Sequence, residues 1–221
     1  MPYPEGHHAA IRARIVSSAR RLFNRHGFDN VSLDQIMAGA GLTRGGFYSY
    51  FRSKSDLYTE VLGCFFTDPE WKNCWEGVEV DLASRQAGPQ VVRAYLSQQH
   101  FEDVENSCPM VALPSDVTRG SEKAKQAFET VFLAMVSVLA RNAGGKGRQA
   151  KAEAIAALCV GGMVVARALA HRDVADQLRD RCMAVALELG GWSSRSRRLR
   201  NSGTARKMSP RGREGAPSLH A

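Results

Sequence analysis

A chain of 221 residues can hold one large or two small domains with a sizeable core. Its 44% hydrophobic and 24% charged content is ordinary for a soluble globular protein. No apolar run reaches membrane-spanning length and the N-terminus lacks a signal-peptide core, so no membrane partner and a cytoplasmic location are expected. The net charge of +8 is unevenly spread: residues 1–58 carry eight Lys/Arg against four Asp/Glu, residues 59–190 carry 14 against 17, and residues 191–221 carry eight against one. A DNA-facing head on a mildly acidic body gives that pattern.

Residues 1–8 are turn-prone and expected to be loose. Ile11, Ile15, Val16, Ala19, Leu22 and Phe23 then form one apolar stripe at helical spacing, with Arg12, Arg14, Arg20, Arg21 and Arg25 over much of the remainder. Those arginines are either a solvated basic face or, in part, phosphate contacts. Gly27 ends this helix. Ser32 and Gln35 stand at capping-box spacing, and Leu33, Ile36, Met37 and Ala40 make the apolar face of a short helix. Gly41 falls where a left-handed residue terminates a helix, and Thr43 is of the type that caps a second one. That second helix, predicted over Arg44–Phe51, turns Phe47 and Phe51 inward and leaves polar tips outside. A short helix displayed this way suits the major groove.

Further on, Ser53 caps a helix with Leu57, Tyr58, Val61, Leu62 and Phe65 along its buried side. The stretch from Thr67 to Pro89 breaks the pattern, with Trp71 and Trp75 at i, i+4. Val91, Val92, Tyr95, Leu96 and Gln99 form the next stripe. Pro109 suits the first position of a short helix after Cys108. Long helices are predicted over Lys123–Arg141, Gln149–His171 and Val174–Leu189, the second of them rich in small residues. No useful β-alternation occurs. The expected fold is all-α, with about nine helices: a three-helix N-terminal helix-turn-helix domain over 1–56 and a helical domain over 57–190. Residues 191–221, rich in Arg, Ser, Gly and Pro, read as a basic disordered tail. That tail either adds non-specific DNA affinity or stays solvated and idle.

The run GLTRGGFYSYFRSK, with RLFNRHGFDNVSLDQI before it, resembles the DNA-binding module of TetR-type (TetR/AcrR-type) transcriptional regulators. The motif match covers about residues 10–58; beyond them the likeness is one of layout. One departure is Met37, where helix-turn-helix motifs often carry Ala, which predicts slightly wider packing of the two short helices. The candidate DNA-binding residues are Ser32, Thr43, Arg44, Gly45, Gly46, Tyr48, Ser49, Tyr50 and Lys54. Arg44 is the type that forks to a guanine edge or a phosphate. Gly45 and Gly46 cost a helix stability but admit close backbone approach. A lysine at a helix start opposes the dipole, and the resemblance implies that Lys54 lies near the DNA backbone. For Tyr50 the alternative is packing against the first helix.

The resemblance also implies that the last two long helices pair with their two-fold mates as a four-helix bundle. The candidate dimer residues are Ile155, Leu158, Cys159, Gly162, Ala166, Leu178 and Val185. It further implies a body cavity for an unidentified small-molecule effector, with Phe65, Trp71, Trp75, Tyr95, His100, Cys108, Phe128, Phe132, Met135, Met163 and Arg167 as candidate lining. The expected partners are therefore double-stranded operator DNA, a second copy of the chain and that effector. The expected function is a regulator, more a repressor than an activator. An alternative is a thiol- or electrophile-sensing regulator acting through Cys108, whose thiolate a helix N-terminus would favour. Enzymatic activity is not expected, a Cys108/His100 hydrolase ranking last. There is no glycine-rich phosphate loop, nucleophile elbow or metal-spaced cluster, and no cofactor is called for.

Overall fold

The structure, a computed structural model, describes residues 6–63 and 78–193. Phe65, Trp71 and Trp75 of the expected effector site, and the tail from residue 194 onward, lie outside the described residues. The described chain is helical, without a strand: α1 His7–His26, α2 Leu33–Gly39, a 3₁₀ helix Arg44–Ser49, α3 Lys54–Gly63, α4 Ala87–Tyr95, α5 Gln98–Glu102, α6 Pro109–Ala112, α7 Pro114–Arg119, α8 Glu122–Asn142, α9 Arg148–Ala168 and α10 Arg172–Gly190. The all-α class is as expected, but eleven helical segments replace about nine. Two breaks account for part of the excess. The stripe through Val91–Gln99 is interrupted where Ser97 turns extended and its hydroxyl accepts from the His100 amide, starting α5 afresh. Pro114 restarts the chain as α7.

Two apolar clusters organise these helices. The first joins Ile15, Ala19 and Phe23 of α1 to Ile36, Met37, Phe47, Phe51, Leu57, Val61 and Leu62. Leu113, Val117 and Ala124, from the middle of the chain, complete it. The second gathers Val92, Leu96, Met135, Leu139, Ile155, Cys159, Met163 and Ala186, and Phe128 packs against both. Each large side chain removed from water here stabilises the fold by roughly 1.5–3 kcal/mol. Because α6–α8 contribute to the first cluster, the head is not an independent apolar unit.

α9 and α10 pack along one another, and α8 lies against α9. Contrary to the expectation that no span exists, α9 is long and apolar enough to cross a membrane by length and composition. Ala152, Ile155, Ala156, Cys159 and Met163 along it are buried in the second core. Trp192 departs from the expected disordered tail. Its indole Nε1 donates to the Asn142 carbonyl at 2.9 Å, and its ring covers Gly88 and Gly190, where any Cβ would collide with it. The packed body therefore runs past residue 190.

Candidate nucleic-acid interface

The helix-turn-helix geometry follows from local chemistry. Ser32 takes an extended backbone, its hydroxyl accepts from the Gln35 amide, and the Gln35 side chain accepts from the Ser32 amide. This reciprocal box closes the start of α2. Gly41 adopts φ 67°, the left-handed turn that lets the chain reverse. On α1, Ser18 donates to the Ile36 carbonyl at 2.8 Å, and a Cβ on Gly39 would collide with that hydroxyl, so α1 and α2 cross closely. Arg14 donates to the Ala40 carbonyl and ties the end of α2 to α1.

The segment after the turn is a 3₁₀ helix over Arg44–Ser49, not the α-helix predicted to Phe51. Thr43 precedes it with an extended backbone but makes no side-chain capping bond. Two adjacent glycines weaken helical order here, and the short segment tightens into i, i+3 bonding. Phe47 and Phe51 are buried as predicted. Met37 is fully buried, its Cε 3.8 Å from where a Cβ on Gly46 would sit. That is ordinary van der Waals distance, so Met37 is accommodated in the core without requiring glycine at position 46. A Cβ on Gly45 would meet nothing in the protein, so glycine there is not required by the fold itself.

Ser32, Asp34, Gln35, Thr43, Arg44, Gly45, Tyr48 and Ser49 are all exposed. Tyr48 is 67% exposed, unusual for a large aromatic ring. Arg44 donates through Nη1 to Asp34 Oδ2 at 3.0 Å. Tyr50 follows the packed alternative: it is half-buried and its ring lies 4.6 Å from that of His8 on α1. His8 and His7 belong to α1, which begins before the predicted Ile11. Lys54, expected near the DNA backbone, has partners within the protein. Its ammonium donates to the Phe28 carbonyl and sits 4.3 Å over the Phe28 ring, and desolvation lowers its pKa. The cation at this helix start is thus satisfied by a carbonyl and an aromatic face within the protein. Among the arginines of α1, Arg12 reaches the Tyr50 carbonyl and Glu60, Arg25 pairs with Glu105, and Arg20 is buried. They are largely engaged in the fold.

Behind this surface, the loop between α5 and α6 is gripped from two sides. From α1, the buried Asn24 donates through Nδ2 to the carbonyls of Glu105 at 3.0 Å and Ser107 at 2.8 Å. From α9, Arg167 donates to the Ser107 hydroxyl at 2.9 Å and to the carbonyls of His100, Phe101 and Asp103. His100 is fully buried; its Nδ1 bonds the Tyr95 carbonyl at 2.6 Å, and Nε2 the Ser107 hydroxyl at 2.8 Å. A carbonyl only accepts, so Nδ1 carries the proton and Nε2 accepts from the Ser107 hydroxyl. Burial pushes the imidazole down to about 4, opposed by the Tyr95 bond and assisted by Arg167. One further tie is the Phe28 amide donating to Asp116 of α7 at 3.0 Å, beside Gly27 at φ 78°.

This network revises the expected effector site. His100 and Arg167, expected as polar contacts to a ligand, spend their hydrogen bonds on protein groups. Tyr95, Cys108, Met135 and Met163 are buried in the second core, with Phe128 and Phe132 packed partly buried against it. The Tyr95 hydroxyl is buried and lacks a nitrogen or oxygen partner; the Cys108 thiol is its sulfur neighbour. For Cys108 the expected activation is reversed: burial raises the thiol to about 11. The four-residue α6 has too little dipole to overcome desolvation.

The dimer residues divide. Ile155, Cys159, Gly162 and Ala166 are buried inside the protomer, and a Cβ on Gly162 would stand 2.9 Å from the Cys182 sulfur of α10. Gly162 thus serves the α9–α10 contact, and all four are withdrawn from the protomer's surface. Leu158 and Leu178 are half-buried and Val185 is exposed. The outer face of α9 instead carries Ala154, Ala157, Gly161, Val165 and Ala168, and α10, packed along it, exposes Val174, Val185 and Leu189. Asn24, Asp34, Ser107 and Asp116 are not among the expected site residues; of these, only Asn24, a polar residue on the inner stripe of α1, leaves a sequence signal.

Residues 15–61 match the model of the family described as "Bacterial regulatory proteins, tetR family". The AcrR transcriptional regulator of Shigella flexneri is 44% identical over 50 residues, covering 23% of this chain and 23% of that protein. The uncharacterised regulator YerO of Bacillus subtilis is 27% identical over 124 residues, 55% of this chain and 42% of YerO. The chain thus matches less than half the length of both relatives. The crystal structure of E. coli NemR in its reduced form superposes with a TM-score of 0.61 at 18% identity, covering 80% of this chain and 95% of that one. Residues 15–61 thus carry the helix-turn-helix of the tetR family of bacterial regulatory proteins, and the chain as a whole shares its fold with solved TetR/AcrR-type structures.

Proposed function

We propose that the chain is a homodimeric, sequence-specific DNA-binding transcriptional regulator, a repressor released from its operator by a small-molecule effector. The observation that carries this reading is the exposed surface built on α2, Gly41 and the 3₁₀ helix, which presents Arg44 and Tyr48 to solvent on a rigid, capped frame. Arg44 reads a base edge or grips a phosphate, Gly45 allows close approach, and Tyr48, Thr43 and Ser49 bond phosphates or pack on thymine methyls. Ser32 caps α2 and contributes its outward face. Residues 1–56 form the DNA-binding unit, and residues from 57 onward form the effector-binding and dimerisation unit.

The apolar outer face of α9 and α10 pairs with a second copy, centred on Val165 and Val185. Two-fold pairing sets the recognition segments one DNA turn apart, ~34–36 Å, or a multiple of it. The effector acts by binding one head spacing better than the other, since only differential affinity shifts the equilibrium. The loop held by Asn24 and Arg167 is the polar link between α1 and α9 available to carry that shift. The placement of Cys108 lends no support to thiol sensing. Selection of bound fragments from random DNA tests the proposal. It should return a two-fold symmetric motif with that half-site spacing, whereas fragments without sequence in common would refute specific recognition.

A further inference from the structure

We propose that Asp34 is a specificity-determining residue that fixes Arg44 for reading the N7/O6 edge of a guanine rather than a phosphate; this rests on the DNA-binding reading above. Arg44 Nη1 donates to Asp34 Oδ2 at 3.0 Å across the turn, with the side chains 63% and 59% exposed. A pair this exposed contributes little to folding, because water and salt screen it. Asp34 stands in the first turn of α2, where a carboxylate suits the helix dipole only weakly at this exposure, but the capping bonds themselves are made by Ser32 and Gln35. Toward DNA the carboxylate is a liability, because it repels phosphates on the very surface that approaches them. What it supplies is direction.

The guanidinium is a planar fork of five N–H donors, and Asp34 occupies one of those on Nη1. That bond restricts rotation about the long side chain, and with the side chain 63% exposed its remaining donors stay accessible to a ligand. A planar pair of donors matches the two acceptors of guanine in the major groove. A swing of Arg44 toward a phosphate would break the bond to Asp34 and leave the carboxylate unpaired beside the polyanion. Asp34 therefore penalises phosphate contact and favours base contact, which trades affinity for discrimination.

Motifs are selected from random DNA with the full chain and with Asp34→Asn, Asp34→Glu and Arg44→Ala, each first matched for melting temperature. The expected result is a guanine in each half-site whose preference vanishes in Arg44→Ala, falls about tenfold in Asp34→Asn, and is substantially kept in Asp34→Glu. Freed to meet a phosphate, Arg44 in Asp34→Asn also steepens the dependence of log affinity on log salt by roughly one per half-site. An Asp34→Asn protein with the wild-type motif and unchanged base weights, even if it bound all DNA more tightly, would overturn the role of Asp34 and leave DNA reading intact. Absence of any motif from the wild-type chain would overturn both.

Discussion

Replacing His100 by Gln tests the buried network through its pH dependence. The imidazole sits near 4 in the folded chain against an ordinary 6.5. Between those values the unfolded chain binds the proton and the folded chain does not, so stability falls as pH drops through 6.5 toward 4. Above pH 6.5 the residue is neutral in both states and contributes no pH dependence. The two values imply a loss of about 2 kcal/mol between pH 7.5 and 5, and about 3 kcal/mol once pH falls below 4. Glu102 and Asp176, whose carboxyls are held low by Arg172 and Arg179 respectively, lose their pairing mainly below pH 5 and stay out of this window. Glutamine can replace one of the two imidazole bonds but does not titrate, so the variant is destabilised by a pH-independent ~1–3 kcal/mol and loses the slope. Urea unfolding of both proteins at fixed concentration, at pH 7.5 and 5, measures the difference. A variant whose stability fell as much on acidification as that of the wild type would refute the assignment of a buried neutral His100.

Two further outcomes follow from the same geometry. Asn24→Ala removes both donors that α1 offers to the carbonyls of Glu105 and Ser107, and urea unfolding should report a loss of about 1–3 kcal/mol; a loss below about 0.5 kcal/mol would mean the latch holds nothing. Val165→Glu combined with Val185→Glu places charge on the exposed apolar face of α9 and α10, where both residues are about half exposed. Sedimentation at micromolar concentration should find a dimer for the wild type and a monomer for this variant, with the helical circular dichroism spectrum unchanged, and a variant that stayed dimeric would move the interface elsewhere.

Much of the head is legible in the sequence because its chemistry is local. Ser32 with Gln35, Gly27 and Gly41 act over three or four residues, and the structure uses each as its spacing suggests. The 3₁₀ geometry is not legible, since the i, i+4 spacing of Phe47 and Phe51 suggests an α-helix, whereas Phe51 lies beyond the end of the 3₁₀ segment. The role of Lys54 is hidden because its partners, the carbonyl and ring of Phe28, lie 26 residues away. α9 misleads for another reason: small and apolar residues occupy both its faces, so periodicity does not tell the buried set of Ile155, Cys159 and Ala166 from the exposed set of Ala157, Gly161 and Val165. The body's polar network is hidden altogether, because Arg167 reaches Ser107 across 60 positions. No local pattern marks such a pairing.

The central claim is that the exposed 3₁₀ surface reads DNA, and operator affinity of the Arg44→Ala, Tyr48→Ala double variant tests it most directly. Both side chains point into solvent, so the melting temperature should stay within a degree or two of wild type, by the usual tolerance of surface sites. The double variant gives up a hydrogen-bonding fork to a base in each half-site. Fluorescence anisotropy on the selected operator should therefore show affinity down roughly a hundredfold or more. A folded double variant that bound that operator as tightly as the wild type would contradict the account.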